Sequence, residues 1–143
     1  LYIEPQAPKE EWSFLTLLAG VSVHEALKAL DPNVRVGVKW PNDLLIHDKK
    51  CAGMIAQATK KGVVIGIGIN VGMSEKELPV EGATSLALEG FSQLDRNIIL
   101  ASIINHFEIN LQMWDAGNSY LQQYRDASEI GREITVGDVV HLR

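Results

Sequence analysis

A cation, an indole, an amide and a carboxylate stand side by side in Lys39-Trp40-Pro41-Asn42-Asp43, and a second cation, Lys50, comes next with Gly53 three positions on. Proline fixes φ and has no N–H to give a sheet, and Asn and Asp side chains bond back to nearby backbone. The stretch Pro41-Asn42-Asp43 therefore encodes a bend that stops the strand-like run 35–40. A bend alone would be satisfied by Asn-Gly. Charged and amide groups at one strand end, facing an ammonium at the next strand start, are the equipment of a polar ligand site. A solvated turn is the simpler reading of an arbitrary lysine, and Lys49, Lys60 and Lys61 are read that way.

The second unusual stretch is Gly66-Ile67-Gly68-Ile69-Asn70-Val71. Side chains alternate across a strand, so Gly66, Gly68 and Asn70 share one face while Ile65, Ile67, Ile69 and Val71 share the other. One face is a branched aliphatic core surface. The other is bare and ends in an amide. Interior glycines mark close approach by a ligand or by another backbone, and strand physics alone leaves both open. The dinucleotide fingerprint does not fit, because it needs a helix straight after the glycines. His24, His47, His106 and His141 have no metal-ligand spacing, so no metal site is expected. Cys51 reads as a small apolar strand residue, and no nucleophile elbow or Walker-type loop is present.

Four short strands, near 35–40, 44–47, 51–58 and 63–70, must hold these groups. Their connectors are too short for a helical crossover, which makes the strands antiparallel neighbours. Leu1-Tyr2-Ile3 reads as a strand end. A helix is expected over 10–30, where Phe14, Leu17, Leu18, Val21, Ala26 and Leu27 fall near period 3.6, and Asp31-Pro32-Asn33 stops it. Residues 72–83 read as a loop. A second helix is expected over 95–114, capped by Asp95, with Leu100, Ile103, Ile104, Phe107, Leu111 and Trp114 as its apolar stripe. Thr84 and Ser85 read as the start of a helix, or as the rim of a pocket. Gly117-Asn118 breaks the second helix, a short third helix follows around Tyr120, Leu121 and Tyr124, and 132–140 alternates like a strand pair. Grouped helices and meandering strands predict an α+β fold, with helices packed on one face of a mostly antiparallel mixed sheet.

With 143 residues, 46% of them hydrophobic and 22% charged, the chain has the make-up of one globular domain. A formal charge of −5 and no basic stripe argue against nucleic acid as a partner. No apolar run is read as approaching the roughly 20 residues of a membrane helix, and no secretory signal is seen. A single cysteine excludes an internal disulfide and suits a cytoplasmic location.

Lys39-Trp40-Pro41-Asn42-Asp43, a short hydrophobic strand and Lys50-Cys51-Ala52-Gly53 resemble the signature of the biotin protein ligases, the biotin–acetyl-CoA-carboxylase ligases. Gly66-Ile67-Gly68-Ile69-Asn70-Val71, Ala83-Thr84-Ser85-Leu86 and Asp95-Arg96 then recur in the family's order. The resemblance spans nearly the whole chain. It implies a class II synthetase-like catalytic domain over 1–127 and the opening of a small SH3-like β domain over 128–143. The implied activity is ATP-dependent formation of biotinyl-AMP, then transfer of biotin to a lysine of a biotin carboxyl carrier domain, with Mg2+ arriving with ATP.

Family roles carry over residue by residue. Lys50 would reach the biotin carboxylate and the α-phosphate, a fixed positive charge where two anions meet. Asp43 would orient the acceptor amine and take its proton. Gly53, Gly66 and Gly68 would let a flat ligand lie on the strands, and Asn70 would face a purine edge. Asn42 would help hold the nucleotide or its magnesium. Lys39 would meet phosphate or acceptor, or pair with Asp43, and Trp40 would pack beside the ligand or lie in the core. The resemblance leaves room for a homodimer but not for a membrane partner. The family's Gly-Arg-Gly-Arg-x-Gly-Arg loop is not in this sequence, which leaves three readings: a processed or unseen N-terminus, a fragment, or a shortened protein. A non-catalytic binding or dimerisation module and a lipoate or octanoate ligase are the competing functions.

Overall fold

A computed structural model describes residues 1–128, and beyond them the backbone of two strands within 133–142. Strand β1 (Tyr2–Ile3) leads through a 3-10 turn (Lys9–Phe14) into helix α1 (Leu15–Leu30). Strands β2 (Val36–Lys39), β3 (Asp43–Ile46), β4 (Lys49–Ala58) and β5 (Val63–Ile69) follow, then α2 (Arg96–Asp115) and α3 (Leu121–Ala127). The five strands form one sheet in the order β1-β5-β4-β3-β2, every neighbouring pair antiparallel. Its parallel elements are single bridges, Val38 with Ser128 and Lys50 with Ala83. Strands β6 (Glu133–Val136) and β7 (Val139–Leu142) pair with each other. The other residues of 128–143, where the opening of an SH3-like domain is expected, lie outside the described residues apart from Ser128.

Alternation along the strands divides the sheet into two faces. Val36, Val38, Leu44, Ile46, Ala52, Met54, Ile65 and Val71 are buried on one of them with Leu15, Leu18, Val21, Val23, Ala26 and Leu27 of α1. The stretch Lys9–Leu30 is in fact long and apolar enough by length and composition to cross a membrane, which corrects the sequence reading. Half-hidden in the chain's own core, its apolar side chains face the sheet and α2. Glu25 and Lys28 interrupt the run in the sequence and disguise its length. The first turns are 3-10 rather than α, so the regular helix begins at Leu15 and not near Glu10.

Asp95 caps α2 as expected, its carboxylate accepting from the Asn97 and Ile98 amides. The buried stripe keeps Ile103, Phe107 and Trp114 of the expected one, with Leu111 partly buried beside them, and adds Ile99 and Asn110. Leu100 and Ile104 are exposed, as are Ile98, Ile109 and Met113. A helix with apolar residues on several faces gives periodicity little to choose between, and contact with α1 decides. At the centre of that contact Asn110 donates from Nδ2 to Ser22 Oγ (3.0 Å) and Glu25 Oε2 (2.8 Å), and accepts from the Tyr120 hydroxyl (3.2 Å).

Candidate functional site

The outer face of the sheet carries one row of residues in mutual register. Lys39 lies opposite Asp43, Asp43 opposite Gly53, and Gly53 opposite Gly68. Paired residues project to the same side, so two charged residues on β2 and β3 continue into two side-chain-free positions on β4 and β5.

Lys50 joins this row through an irregularity. Residues three apart on a regular strand point to opposite faces. The β3–β4 register, however, passes from Leu44↔Ala52 to Leu45↔Lys50 and leaves Cys51 unpaired on β3. This bulge inverts the alternation, which puts Lys50 on the same face as Gly53. The Lys50 ammonium then lies 2.6 Å from Asp43 Oδ1. That oxygen is shielded from solvent, so the ammonium is the group that meets its charge. Lys39 is not its ion-pair partner among the described residues. Cys51 is fully buried, and burial pushes its thiol up to about 12, which removes it as a nucleophile near neutral pH.

Beside the pair opens a hollow of about 490 Å3 lined by Lys50, Gly53, Gly68 and Asn70, with Met73, Pro79 and Val80 on its far wall. A Cβ on Gly68 would have nothing within 4 Å, so this part of the floor is open. Gly66 is different. Ile55 leans over it, 3.1 Å from where a Cβ would stand, and Gly66 does not line the hollow. The bare floor is shorter than the glycine pattern suggested.

The bend residues divide in the same way. Asn42 Nδ2 donates to the Met54 carbonyl (2.8 Å), and Met54 N–H donates to the Asn42 carbonyl (2.9 Å). Asn42 thereby extends the β3–β4 ladder past Asp43 and holds the acid in place. Trp40 precedes a cis Pro41 and is 59% exposed, so the core placement considered for this indole is corrected: a strand end on the sheet edge offers it no partner layer.

Sequence reasoning missed the strand-like segment behind the hollow. Lys50 N–H donates to the Gly82 carbonyl (3.0 Å) and Thr84 N–H to the Lys50 carbonyl (2.8 Å). Asn70 Nδ2 donates to the Thr84 carbonyl (3.0 Å), and Leu86 N–H to the Asn70 carbonyl (2.9 Å). Thr84 and Ser85 are therefore buried, with Ser85 Oγ donating to the Met73 carbonyl, and neither starts a helix nor forms a rim. Glu89 receives the Thr84 hydroxyl and meets His47 from the β3–β4 turn. Burial pushes the Glu89 carboxyl up, but the bonds from Thr84 and His47 and the charges of His47 and Lys49 outweigh it and hold it below its ordinary value.

An ammonium and an amide around a floor with two glycines suit a planar ligand that carries negative charge. Asp43, like Lys39, Trp40 and Asn42, stands outside the hollow's lining, and Asp43 reaches it only through its pair with Lys50. The Biotin/lipoate A/B protein ligase family pattern matches residues 1–124. The biotin--[acetyl-CoA-carboxylase] ligase of Mycobacterium tuberculosis is 33% identical over 138 residues, covering 94% of this chain and 50% of that protein. The bifunctional ligase/repressor BirA of Escherichia coli is 36% identical over 108 residues, covering 71% of this chain and 33% of its own length. A biotin protein ligase from Aquifex aeolicus, solved in complex with biotin and ATP, superposes with a TM-score of 0.78 at 25% identity. That match takes in 99% of this chain and 62% of the other. The chain spans half or less of the length of these two curated relatives.

Proposed function

Because the chain belongs to the biotin/lipoate A/B protein ligase family, we propose that its glycine-floored hollow joins biotin to AMP and passes biotin to a lysine of a carrier domain. The observation that carries this reading is the gathering of Lys50, Gly53, Gly68 and Asn70 around one hollow, with Lys50 paired to Asp43. In the first step a biotin carboxylate oxygen attacks the α-phosphorus of ATP. The bond to the β-phosphate oxygen breaks, and pyrophosphate leaves with the electron pair. Two anionic groups approach each other there, and the Lys50 ammonium is the fixed charge that lowers the cost. Gly53 and Gly68 admit the ligand to backbone distance, and Asn70 keeps its carbonyl oxygen and one N–H for the base.

In the second step the acceptor amine attacks the acyl carbon, and AMP leaves with the electrons of the anhydride bond. The amine proton passes to the carboxylate of Asp43, which the bend and Asn42 hold between Lys39 and Gly53 in the row. Magnesium enters with ATP as part of the substrate. Among the described residues no three His, Cys, Asp or Glu side chains gather to hold an ion, so phosphate oxygens and water would supply most of its ligands. The acceptor in this reading is the carrier domain of a cytoplasmic carboxylase.

Biotin-dependent exchange of labelled pyrophosphate into ATP tests the first step. Exchange is expected from the chain, and Lys50→Ala should lower it by about 10²–10³-fold. Full exchange by Lys50→Ala would remove the lysine from the chemistry. Exchange with lipoate or octanoate in place of biotin would reassign the acyl substrate. Calorimetric silence toward both biotin and ATP would favour a binding module without catalysis.

A further inference from the structure

The turn between β3 and β4 is His47-Asp48, and both residues are left-handed, with φ of 49° and 62°. A two-residue turn of this hand favours Asn-Gly or Asp-Gly, and glycine at position 47 would avoid a backbone cost that histidine bears. What histidine adds is a contact. Its Nδ1 lies 2.5 Å from Glu89 Oε2, although the imidazole is 70% exposed and the carboxylate only 10%. The other Glu89 oxygen accepts the Thr84 hydroxyl (2.5 Å). Thr84 spends its remaining polar groups on the hollow, its N–H on the Lys50 carbonyl and its carbonyl on the Asn70 side chain. A surface imidazole is thus three contacts away, through Glu89 and Thr84, from both residues that flank the ligand floor. The groups around this carboxylate are His47, Thr84 and, through space, Lys49.

We infer that His47 is a positioning residue: through Glu89 and Thr84 it fixes the Lys50 backbone and the Asn70 amide in the arrangement that receives ATP. The inference rests on the functional reading above. Were His47 a turn residue with no other duty, glycine in its place would relieve the backbone and leave the hollow untouched.

The test compares the native chain with His47→Gly by residue-resolved amide hydrogen exchange and by calorimetry with ATP. Glycine suits φ 49° but cannot reach Glu89. Exchange at the Thr84 and Lys50 amides should rise by about tenfold while the amides of α1 keep their native rates. ATP affinity should fall several-fold, and in steady state KM for ATP should rise with kcat little changed. His47→Arg, which places a hydrogen-bond donor able to reach Glu89, should recover part of both losses. Native exchange at Thr84 and Lys50 in His47→Gly would overturn the brace. Native ATP affinity in a variant whose exchange has risen would overturn its bearing on the ligand. If the native chain itself binds no ATP, the functional reading fails, and the brace still stands or falls on the exchange rates.

Discussion

The Lys50 ammonium and the Lys50 Cε each lie 3.2 Å from the point where a Cβ on Gly53 would stand, so the lysine crosses above the glycine to meet Asp43. Gly53→Ala should displace the ammonium without unfolding the chain, because the crowded atoms are the far end of a flexible side chain. Pyrophosphate exchange should drop by about 10–100-fold, the usual cost of moving a reacting group by a fraction of an ångström to an ångström. Thermal melting should change little. Native exchange rates in this variant would mean that the Lys50–Asp43 geometry does not matter to the chemistry.

Two other glycines give a contrast in which stability and binding separate. A Cβ on Gly68 meets nothing within 4 Å, whereas a Cβ on Gly62 would stand 2.2 Å from the Ile3 carbonyl oxygen. Gly68→Ala should leave stability unchanged or raise it by about 0.5 kcal/mol, since glycine inside a strand costs conformational entropy. The same methyl intrudes on the ligand floor, so affinity for biotin or ATP should fall. Gly62→Ala should instead cost about 1–3 kcal/mol by forcing β1 away from β5. Urea melts and calorimetry on the two variants check both halves.

Much of this arrangement is legible in the sequence because it rests on local chemistry. Pro41 and the charged turn at 47–50 mark the strand limits, and alternation along 65–71 identifies the bare face. Lys50-x-x-Gly53 shows which lysine to watch. The bulge that makes this spacing work is not visible there, since Cys51 is an ordinary strand residue and nothing at the position announces an extra one. Thr84, Glu89 and His47 do not read as a group because their contacts join His47 to residues more than 35 positions distant, through side chains common on any surface. A signal does exist at His47, where a two-residue hairpin turn lacks the glycine that its backbone prefers. In α2 the apolar residues on several faces hide which side is buried, and Asn110 looks like a surface residue although it sits at the centre of the helix contact.

Asn110 gives a prediction of its own. Its amide serves the Ser22 hydroxyl, the Glu25 carboxylate and the Tyr120 hydroxyl, and both Ser22 and Asn110 are buried. Asn110→Ala strands those partners as well as leaving a cavity, and the combined cost should be about 2–4 kcal/mol. Replacing Tyr120 by Phe in the same chain removes one stranded hydroxyl, so the double variant should lose less than the sum of the single losses. Strict additivity in urea melts would show that the three bonds act independently.

Stability should form a plateau in pH with different groups at its two edges. Burial, with the charge of Lys28, holds His24 below its ordinary 6.5. Glu89 and Asp31 are likewise held down, Asp31 chiefly by the Ser92 amide and hydroxyl. In each case the unfolded chain takes up a proton first, so stability is full above the ordinary value and is lost as pH falls. The loss begins below 6.5 with His24 and deepens below 4.5 with Glu89. On the alkaline side burial pushes Cys51 from 9.0 and Tyr124 from 10.0 up to about 12. There the unfolded chain releases its proton first, so stability is full below pH 9 and falls between 9 and 12. The Tyr124 hydroxyl is also buried and has no hydrogen-bond partner among the described residues. Tyr124→Phe should therefore hold or raise the melting temperature at neutral pH, because it removes a desolvated group that gains nothing in return. It should also make the alkaline decline shallower while leaving the acid limb in place. A melting temperature that falls at neutral pH in Tyr124→Phe would mean that the hydroxyl is paired in solution.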